Sequence, residues 1–98
     1  MKKYKELIFT SHALARLSER GISQGDAWLT WRSPDQSRYA EAKGAWVYFK
    51  TFGNQKIEVV AKKNDRGEWI VLSVWSRPVY EKQRQGFLLK LLRKIFSV

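Results

Sequence analysis

The amino-acid sequence predicts one α+β domain, in which a small antiparallel sheet carries two N-terminal helices and is followed by a C-terminal amphipathic helix. Helix-starting and helix-stopping residues mark two segments before Pro34. Three β-branched and aromatic runs follow in residues 45–76, with tight turns between them. A chain of 98 residues suffices for one modest core, so we expect a single domain, with residues 7–76 as its core and residues 77–98 as the last helix.

The first helix is expected to begin at Thr10 or Ser11, because both side chains can accept hydrogen bonds from free backbone N–H groups. Gly21 suits the left-handed position that ends a helix. Such a helix packs through its leucines and presents the only histidine of the chain beside two arginines. Its apolar side holds Ala13, Leu14 and Leu17, and its polar side holds His12, Arg16, Glu19 and Arg20.

Short-range signals also place a first strand, a second helix and a loop. The apolar run Leu7–Phe9 predicts a short edge strand that leads into the first helix. Ser23 with Asp26 predicts the start of a second helix, which Pro34 stops. Residues 33–44 are polar and are predicted to be an irregular loop.

The three strand-like runs span residues 45–52, 55–63 and 68–76, and the short turns between them predict an antiparallel meander. Alternation along each strand then assigns the side chains to two faces. The face expected to be aliphatic and covered by helices holds Val47, Phe49, Ile57, Val59, Ala61, Ile70, Leu72 and Val74. The other face is expected to hold Trp46, Tyr48, Lys50, Phe52, Lys56, Glu58, Lys62, Trp69, Ser73 and Trp75.

The predicted last helix, residues 77–98, has two interpretations. Pro78 suits the first turn of a helix, and leucines and phenylalanines then fall on one side with lysines and arginines on the other. Such a helix can cover the sheet of its own domain, which a small domain needs. It can also lie on a membrane surface or bind a partner, a contact that we regard as the less favoured interpretation.

Composition limits the function. The net charge of +10 indicates a polyanionic partner, either nucleic acid, an acidic protein or an anionic membrane, although solubility alone is an alternative. The chain has no cysteine and one histidine, so we expect no disulfide, no metal and no other cofactor. It has no apolar run of about 18 residues and no signal-peptide core, so we expect a cytoplasmic protein or one delivered into the cytoplasm of a target cell.

RNA cleavage is one chemistry that these residues could perform. A 2′-hydroxyl that attacks its neighbouring phosphate needs a base, an acid for the leaving oxygen and cations around phosphorus. Histidine titrates in the range that suits either proton transfer. We therefore predict a catalytic set of His12, Arg16, Tyr48, Lys50 and Ser73. The alternative is that His12 is a surface or capping residue.

RNA binding is suggested by aromatic side chains interleaved with lysines on one predicted sheet face. Aromatic rings stack on bases, and lysines bind phosphates. The predicted RNA-binding residues are Arg20, Lys56, Trp46, Lys62 and Trp75. The alternatives are that the tryptophans belong to the core and that the lysines are simply solvated.

The opening from Phe9 to Ile22 fits the pattern F-[ST]-x-H-A-x-x-R-x-x-x-R-G-I. Together with Ser33-Pro34 and the strand run ending at Trp75, it resembles a widespread bacterial family of small proteins of unknown function. That family looks like a relative of the barnase, EndoU, colicin D and RelE group, whose members are mostly metal-independent RNases and often toxins. The resemblance implies a RelE- or colicin D-like fold that cleaves or binds RNA. Its matching positions are His12, Arg16 and Arg20.

The leading prediction is a metal-independent endoribonuclease of bacterial toxin type that leaves a 2′,3′-cyclic phosphate. The alternative is a non-catalytic RNA-binding or protein-binding module on the same fold. The expected partner is RNA. An acidic antitoxin or immunity protein is a second expected partner, because an acidic inhibitor complements a +10 surface.

Overall fold

The computed structural model describes residues 1–79, in which two short helices lie against a six-stranded mixed sheet. The strands follow the order β1-β2-β6-β5-β4-β3 across the sheet. A single 3₁₀ turn, Glu41–Lys43, connects β3 to β4. The elements are β1 Lys2–Tyr4, β2 Leu7–Phe9, α1 Ser11–Arg20, α2 Gln24–Arg32, β3 Gln36–Ala40, β4 Ala45–Phe52, β5 Gln55–Lys63 and β6 Trp69–Pro78.

The predicted fold, a RelE- or colicin D-like antiparallel sheet, is wrong, because the sheet is mixed: β2 pairs with β6 in parallel. Leu7 lies opposite Trp69 and Phe9 lies opposite Val71. The predicted strand at residues 7–9 exists, but it is not an edge strand. Leu7 and Phe9 are completely buried, which two apolar side chains achieve beside a central strand and not at the margin of a sheet.

Two strands were not predicted. β1 pairs with β2 and forms one edge of the sheet, and β3 pairs with β4 and forms the other. The predicted loop over residues 33–44 is therefore wrong, since it contains β3 and the 3₁₀ turn. β3 is polar and almost fully exposed, so the hydrophobic alternation that identifies a half-buried strand is missing.

The helix boundaries confirm the predicted caps. The hydroxyl of Thr10 accepts a hydrogen bond from the backbone N–H of Ala13 at 3.1 Å, and Ser23 caps α2 in the same way. Gly21 ends α1 with φ +64°, a backbone conformation that residues other than glycine rarely adopt. The apolar side of α1 is confirmed as well, because Ala13 and Leu17 are buried.

Both helices contribute to one core on one face of the sheet, which we call the helix face. The core residues that α1 and α2 contribute, including Leu17 and Ala27, pack with Ile57, Val59 and Val74. These three strand residues confirm part of the predicted aliphatic face. We call the opposite face the open face, because within residues 1–79 neither helix contributes to a core there.

The predicted faces of β4 are reversed relative to β5. The two-residue turn places Phe52 opposite Gln55, which pairs Tyr48 with Val59 and Lys50 with Ile57. The aromatic side of β4 therefore belongs to the helix face, together with Trp46 and Phe52. Val47 and Phe49, predicted for the helix-covered face, lie on the open face.

A β-bulge shifts the alternation along β6. Val60 pairs with Ser73 and Ala61 pairs with Val71, so Leu72 is an extra residue on β6. Before the bulge, Trp69 lies on the helix face and Ile70 on the open face, the reverse of the prediction; Leu72 is also on the open side. After the bulge, Ser73 and Trp75 lie on the open face.

The predicted C-terminal helix cannot begin at residue 77, because Arg77 and Pro78 belong to β6. The remainder of that prediction concerns residues 80–98, which lie outside the described residues. Neither helix in residues 1–79 is long and apolar enough to cross a membrane.

Candidate nucleic-acid interface

His12, Arg16 and Arg20 form a row along α1, which we call the α1 row. Their spacing of four residues places them on one side of the helix. Arg16 donates a hydrogen bond to Glu19 at 2.8 Å. Within the described part of the chain, the exposed side chain of His12 has neither an ion pair nor a hydrogen bond. The row thus presents an imidazole and two guanidiniums to solvent.

The α1 row contacts Trp75 on β6. The guanidinium carbon of Arg20 lies 3.3 Å from the ring centroid of Trp75, and that of Arg16 lies 5.8 Å away. Trp75 is still 38 % exposed. A cation over an aromatic ring is attracted by the electrons of the ring face, so this contact is favourable.

The start of α1 is attached to the β6 bulge. The backbone N–H of Thr10 donates to the carbonyl of Val71 at 3.1 Å, and the Thr10 hydroxyl donates to the carbonyl of Leu72 at 3.3 Å. The other end of the helix contacts the same strand further along, because Arg20 lies over Trp75. α1 therefore runs along β6 from the bulge towards Trp75.

A groove of about 550 Å³ lies on the open face, and Trp75 forms part of its wall. Its polar lining consists of Arg38, Lys43, Glu58 and Ser73, above an apolar floor that includes Val47, Val60 and Leu72. The α1 row and the groove share Trp75, so they form one continuous surface.

The carboxylate in the groove is partly neutralised. Glu58 accepts a hydrogen bond from Arg77 at 3.0 Å, and its side chain is only 15 % exposed. Arg38 and Lys43 have no ion pair within residues 1–79. The groove therefore has an excess of positive charge.

Two further predicted residues lie on the open face. Lys56 pairs with Arg77, and its Nζ atom lies 4.6 Å from the ring centroid of Phe49. Lys62 is exposed and pairs with Ile70. The structure thus brings Arg16, Arg20 and Trp75 into contact, and it places Ser73, Lys56 and Lys62 on the same face of the sheet as Trp75.

Three predicted site residues lie on the helix face instead. Tyr48 lies between Trp46 and Trp69, with ring centroids 6.5 and 6.1 Å away. Burial raises the pKa of the Tyr48 hydroxyl, and the nearby Trp31 side chain acts in the opposite direction. The ammonium of Lys50 donates to the carbonyl of Ser33 at 2.7 Å. The sheet therefore separates Trp46, Tyr48 and Lys50 from the groove.

Arg38, Lys43 and Glu58 are groove residues that the sequence prediction did not include in the site. Arg38 and Lys43 were assigned to a loop, which hid the direction of their side chains. Glu58 was predicted on the same face as Lys56, and the structure confirms this placement. Alternation along β5 could therefore have identified Glu58 as a residue of the site. Across residues 1–79, no three His, Cys, Asp or Glu side chains come together as a metal site requires.

The fold and the groove define a small basic domain with a mixed sheet, one face of which carries a cationic groove. The chain belongs to the family described as a domain of unknown function, DUF4258, which matches residues 9–76. The match includes the whole α1 row and every residue of the groove. No curated protein and no solved structure matches the chain. The predicted membership in a family of unknown function is thereby confirmed.

Proposed function

We propose that this domain binds single-stranded RNA across the α1 row and the groove. The observation that carries the proposal is the contact of Arg20 with Trp75, because it joins a row of cations to an exposed aromatic ring. Guanidiniums bind phosphate through several N–H groups at once, and aromatic rings stack on unpaired bases. The two kinds of group needed for a single strand are therefore adjacent.

The shape of the groove favours a single strand over a duplex. Its floor is apolar, and a splayed base can lie on Val60 and Leu72 while Trp75 offers part of its ring. Bases in an RNA duplex are stacked and paired, so they cannot enter such a groove. Arg38 and Lys43 at its wall are then available to phosphates.

A binding titration tests the proposal. We expect a labelled oligouridylate to bind more tightly than an RNA duplex of equal length, with log affinity falling against log salt by about 0.7 per neutralised phosphate. Arg20→Ala should weaken binding, whereas Arg66→Ala should not. Arg66→Ala is a matched control because it also removes one positive charge, and Arg66 lies in the β5–β6 turn, outside the proposed site. Equal effects of the two variants would contradict the proposed site.

RNA cleavage is a second candidate function, favoured by the position of His12 in the α1 row. The imidazole would accept the proton of a 2′-hydroxyl, whose oxygen would bond to phosphorus as the bond to the 5′-oxygen breaks. The leaving 5′-oxygen would then take a proton from the imidazolium or from water. Arg16, one turn along the helix, would bind the phosphate.

The opening pattern from Phe9 to Ile22, which suggested a family related to the barnase, EndoU, colicin D and RelE group, is the sequence-level support for this second candidate. Ser73 remains a candidate participant, since it lines the groove. Tyr48 and Lys50 have no part in the proposed reaction, because they lie on the helix face. With Tyr48 and Lys50 excluded, the proposed catalytic set consists of His12, Arg16 and Ser73.

A further inference from the structure

Two exposed aromatic side chains form a pair on the helix face, at the side of the sheet that β3 and β4 form. The rings of Tyr39 and Trp46 meet edge to face, with centroids 5.4 Å apart. Tyr39 is 50 % exposed and Trp46 is 40 % exposed. Large apolar side chains with this exposure can be stabilised further by a ligand that covers them.

The pair is the exposed end of a longer aromatic chain. Trp46 stacks near Tyr48, and Tyr48 contacts Trp69, which contacts Trp31 of α2. The inner members are half-buried against the core, so they hold Trp46 in place. A ring held in place loses little conformational entropy when a base stacks on it.

Positive charge accompanies the pair. Lys63 lies on the helix face, and its Nζ atom is 5.6 Å from the ring centroid of Trp69. Trp46 pairs with Ala61, two residues before Lys63 on the same side of β5. Aromatic rings beside an exposed lysine fit a polyanion that carries flat bases.

The edge strand β3 connects this pair to the groove. Arg38 lines the groove on the open face, and the next residue, Tyr39, lies on the helix face. β3 is the outermost strand within residues 1–79, so a bound strand can pass around it. A chain of phosphates that leaves the groove at Arg38 would therefore reach Tyr39 directly.

We propose that Tyr39 and Trp46 form a second base-stacking subsite, which binds the part of the same RNA strand that has passed around β3. This inference rests on the proposed function, since it extends the groove site. It makes the RNA-binding surface a path over both faces of the sheet. The length of RNA that contributes to affinity is then greater than the groove alone can hold.

Affinity measured against RNA length tests this subsite. We compare oligouridylates of about four and about twelve nucleotides, a range that brackets the site sizes of small single-strand-binding domains. Tyr39→Ala and Trp46→Ala should each weaken binding of the longer RNA about tenfold and leave the shorter RNA unaffected. Tyr39→Phe and Trp46→Phe should retain most of the affinity, because each keeps a ring. Arg20→Ala should weaken both lengths.

The outcomes separate this inference from the proposed function. If Arg20→Ala weakens binding while the alanine variants at Tyr39 and Trp46 bind long RNA like wild type, the groove alone binds RNA and the subsite is wrong. If the wild-type protein binds no RNA of either length, both proposals are wrong, and a protein becomes the candidate partner for the aromatic pair. If the phenylalanine variants lose as much as the alanine variants, stacking is not the interaction.

Discussion

The guanidinium of Arg20 covers the ring of Trp75, and this contact joins the first helix to the last described strand. The two residues are distant in sequence and meet because α1 runs along β6 from the bulge. A planar guanidinium can lie flat on an indole and still donate N–H groups at its rim. The contact can thus position a phosphate-binding group.

Arg20→Lys should separate charge from stacking. Lysine keeps the positive charge, so the salt dependence of RNA binding should stay at the wild-type slope. Lysine lacks the planar fork, so we expect affinity to fall about three- to tenfold, as for the loss of roughly 1 kcal/mol of cation–ring interaction. Titrations at several salt concentrations measure both quantities. A lysine variant with wild-type affinity would show that only the charge matters.

Glu58→Gln should strengthen RNA binding. The substitution removes a negative charge from the groove and releases Arg77 from its ion pair. We expect affinity to rise about two- to fivefold, which corresponds to the usual worth of one partly exposed charge pair. Asp65→Asn removes the same charge from the β5–β6 turn and is the matched control. Weaker binding by the glutamine variant would mean that Glu58 contacts the RNA itself.

His12→Ala should distinguish binding from cleavage. If the imidazole transfers a proton, the cleavage rate should fall about 100-fold or more, with RNA affinity and thermal stability almost unchanged. Arg16→Ala should lower both rate and affinity, since a phosphate ligand acts before and during the reaction. Cleavage is measured in excess chelator, with the 2′,3′-cyclic phosphate as the diagnostic product. If the wild-type protein binds RNA without cleaving it, the cleavage proposal is wrong and RNA binding remains as the proposed function.

Thr10→Val should destabilise the fold. Valine has nearly the shape of threonine but cannot accept the hydrogen bond from Ala13 or donate one to Leu72. Loss of an N-cap usually lowers the free energy of unfolding by about 1–2 kcal/mol, which urea denaturation measures. Thr10→Ser should retain most of the stability, because its hydroxyl can make both bonds. Equal losses in the two variants would exclude the hydroxyl as the cause.

Tyr48→Phe should change the pH dependence of stability. Burial raises the folded-state pKa of Tyr48 above 10.0, so the folded protein favours the neutral phenol. The contribution of the neutral Tyr48 phenol to folding stability is fully present below the ordinary pKa of tyrosine. It is lost as pH rises through the folded-state pKa. The phenylalanine variant should therefore lose less stability than wild type when urea midpoints are compared from neutral pH to about pH 11. RNA affinity should not change, because Tyr48 lies on the helix face.

Features that depend on neighbouring residues could be predicted from the sequence. Thr10 and Gly21 bound α1 because capping requires only a local side chain or a local conformation. The Gly53-Asn54 turn and the strands beside it follow from the same kind of local preference. The sequence also contains the register of β4, since a two-residue turn places Phe52 and Gln55 opposite each other, and hence Tyr48 opposite Val59.

Features that depend on distant partners could not be predicted in this way. Leu72 is an extra residue only with respect to its pairing with β5, so strict alternation along β6 gives the wrong face for Trp69 and Leu72. β3 has no hydrophobic alternation and exists because β4 offers an edge. The same difference affects the predicted site residues. His12, Arg16 and Arg20 lie on one side of α1 as predicted, because a single helix carries all three. Tyr48 and Lys50 lie on the opposite face of the sheet from the one predicted.

The parallel pairing of β2 with β6 is a long-range contact, and we expect it to form later than the pairing of β4, β5 and β6. β4, β5 and β6 are joined by tight turns and can associate as soon as they are synthesised, whereas β2 must wait for a strand about sixty residues later in the chain. Closing so long a loop carries an entropic cost before any contact stabilises it. The α1 row follows β2 directly in the chain, so we expect the surface proposed to bind RNA to be incomplete until this long-range pairing has formed.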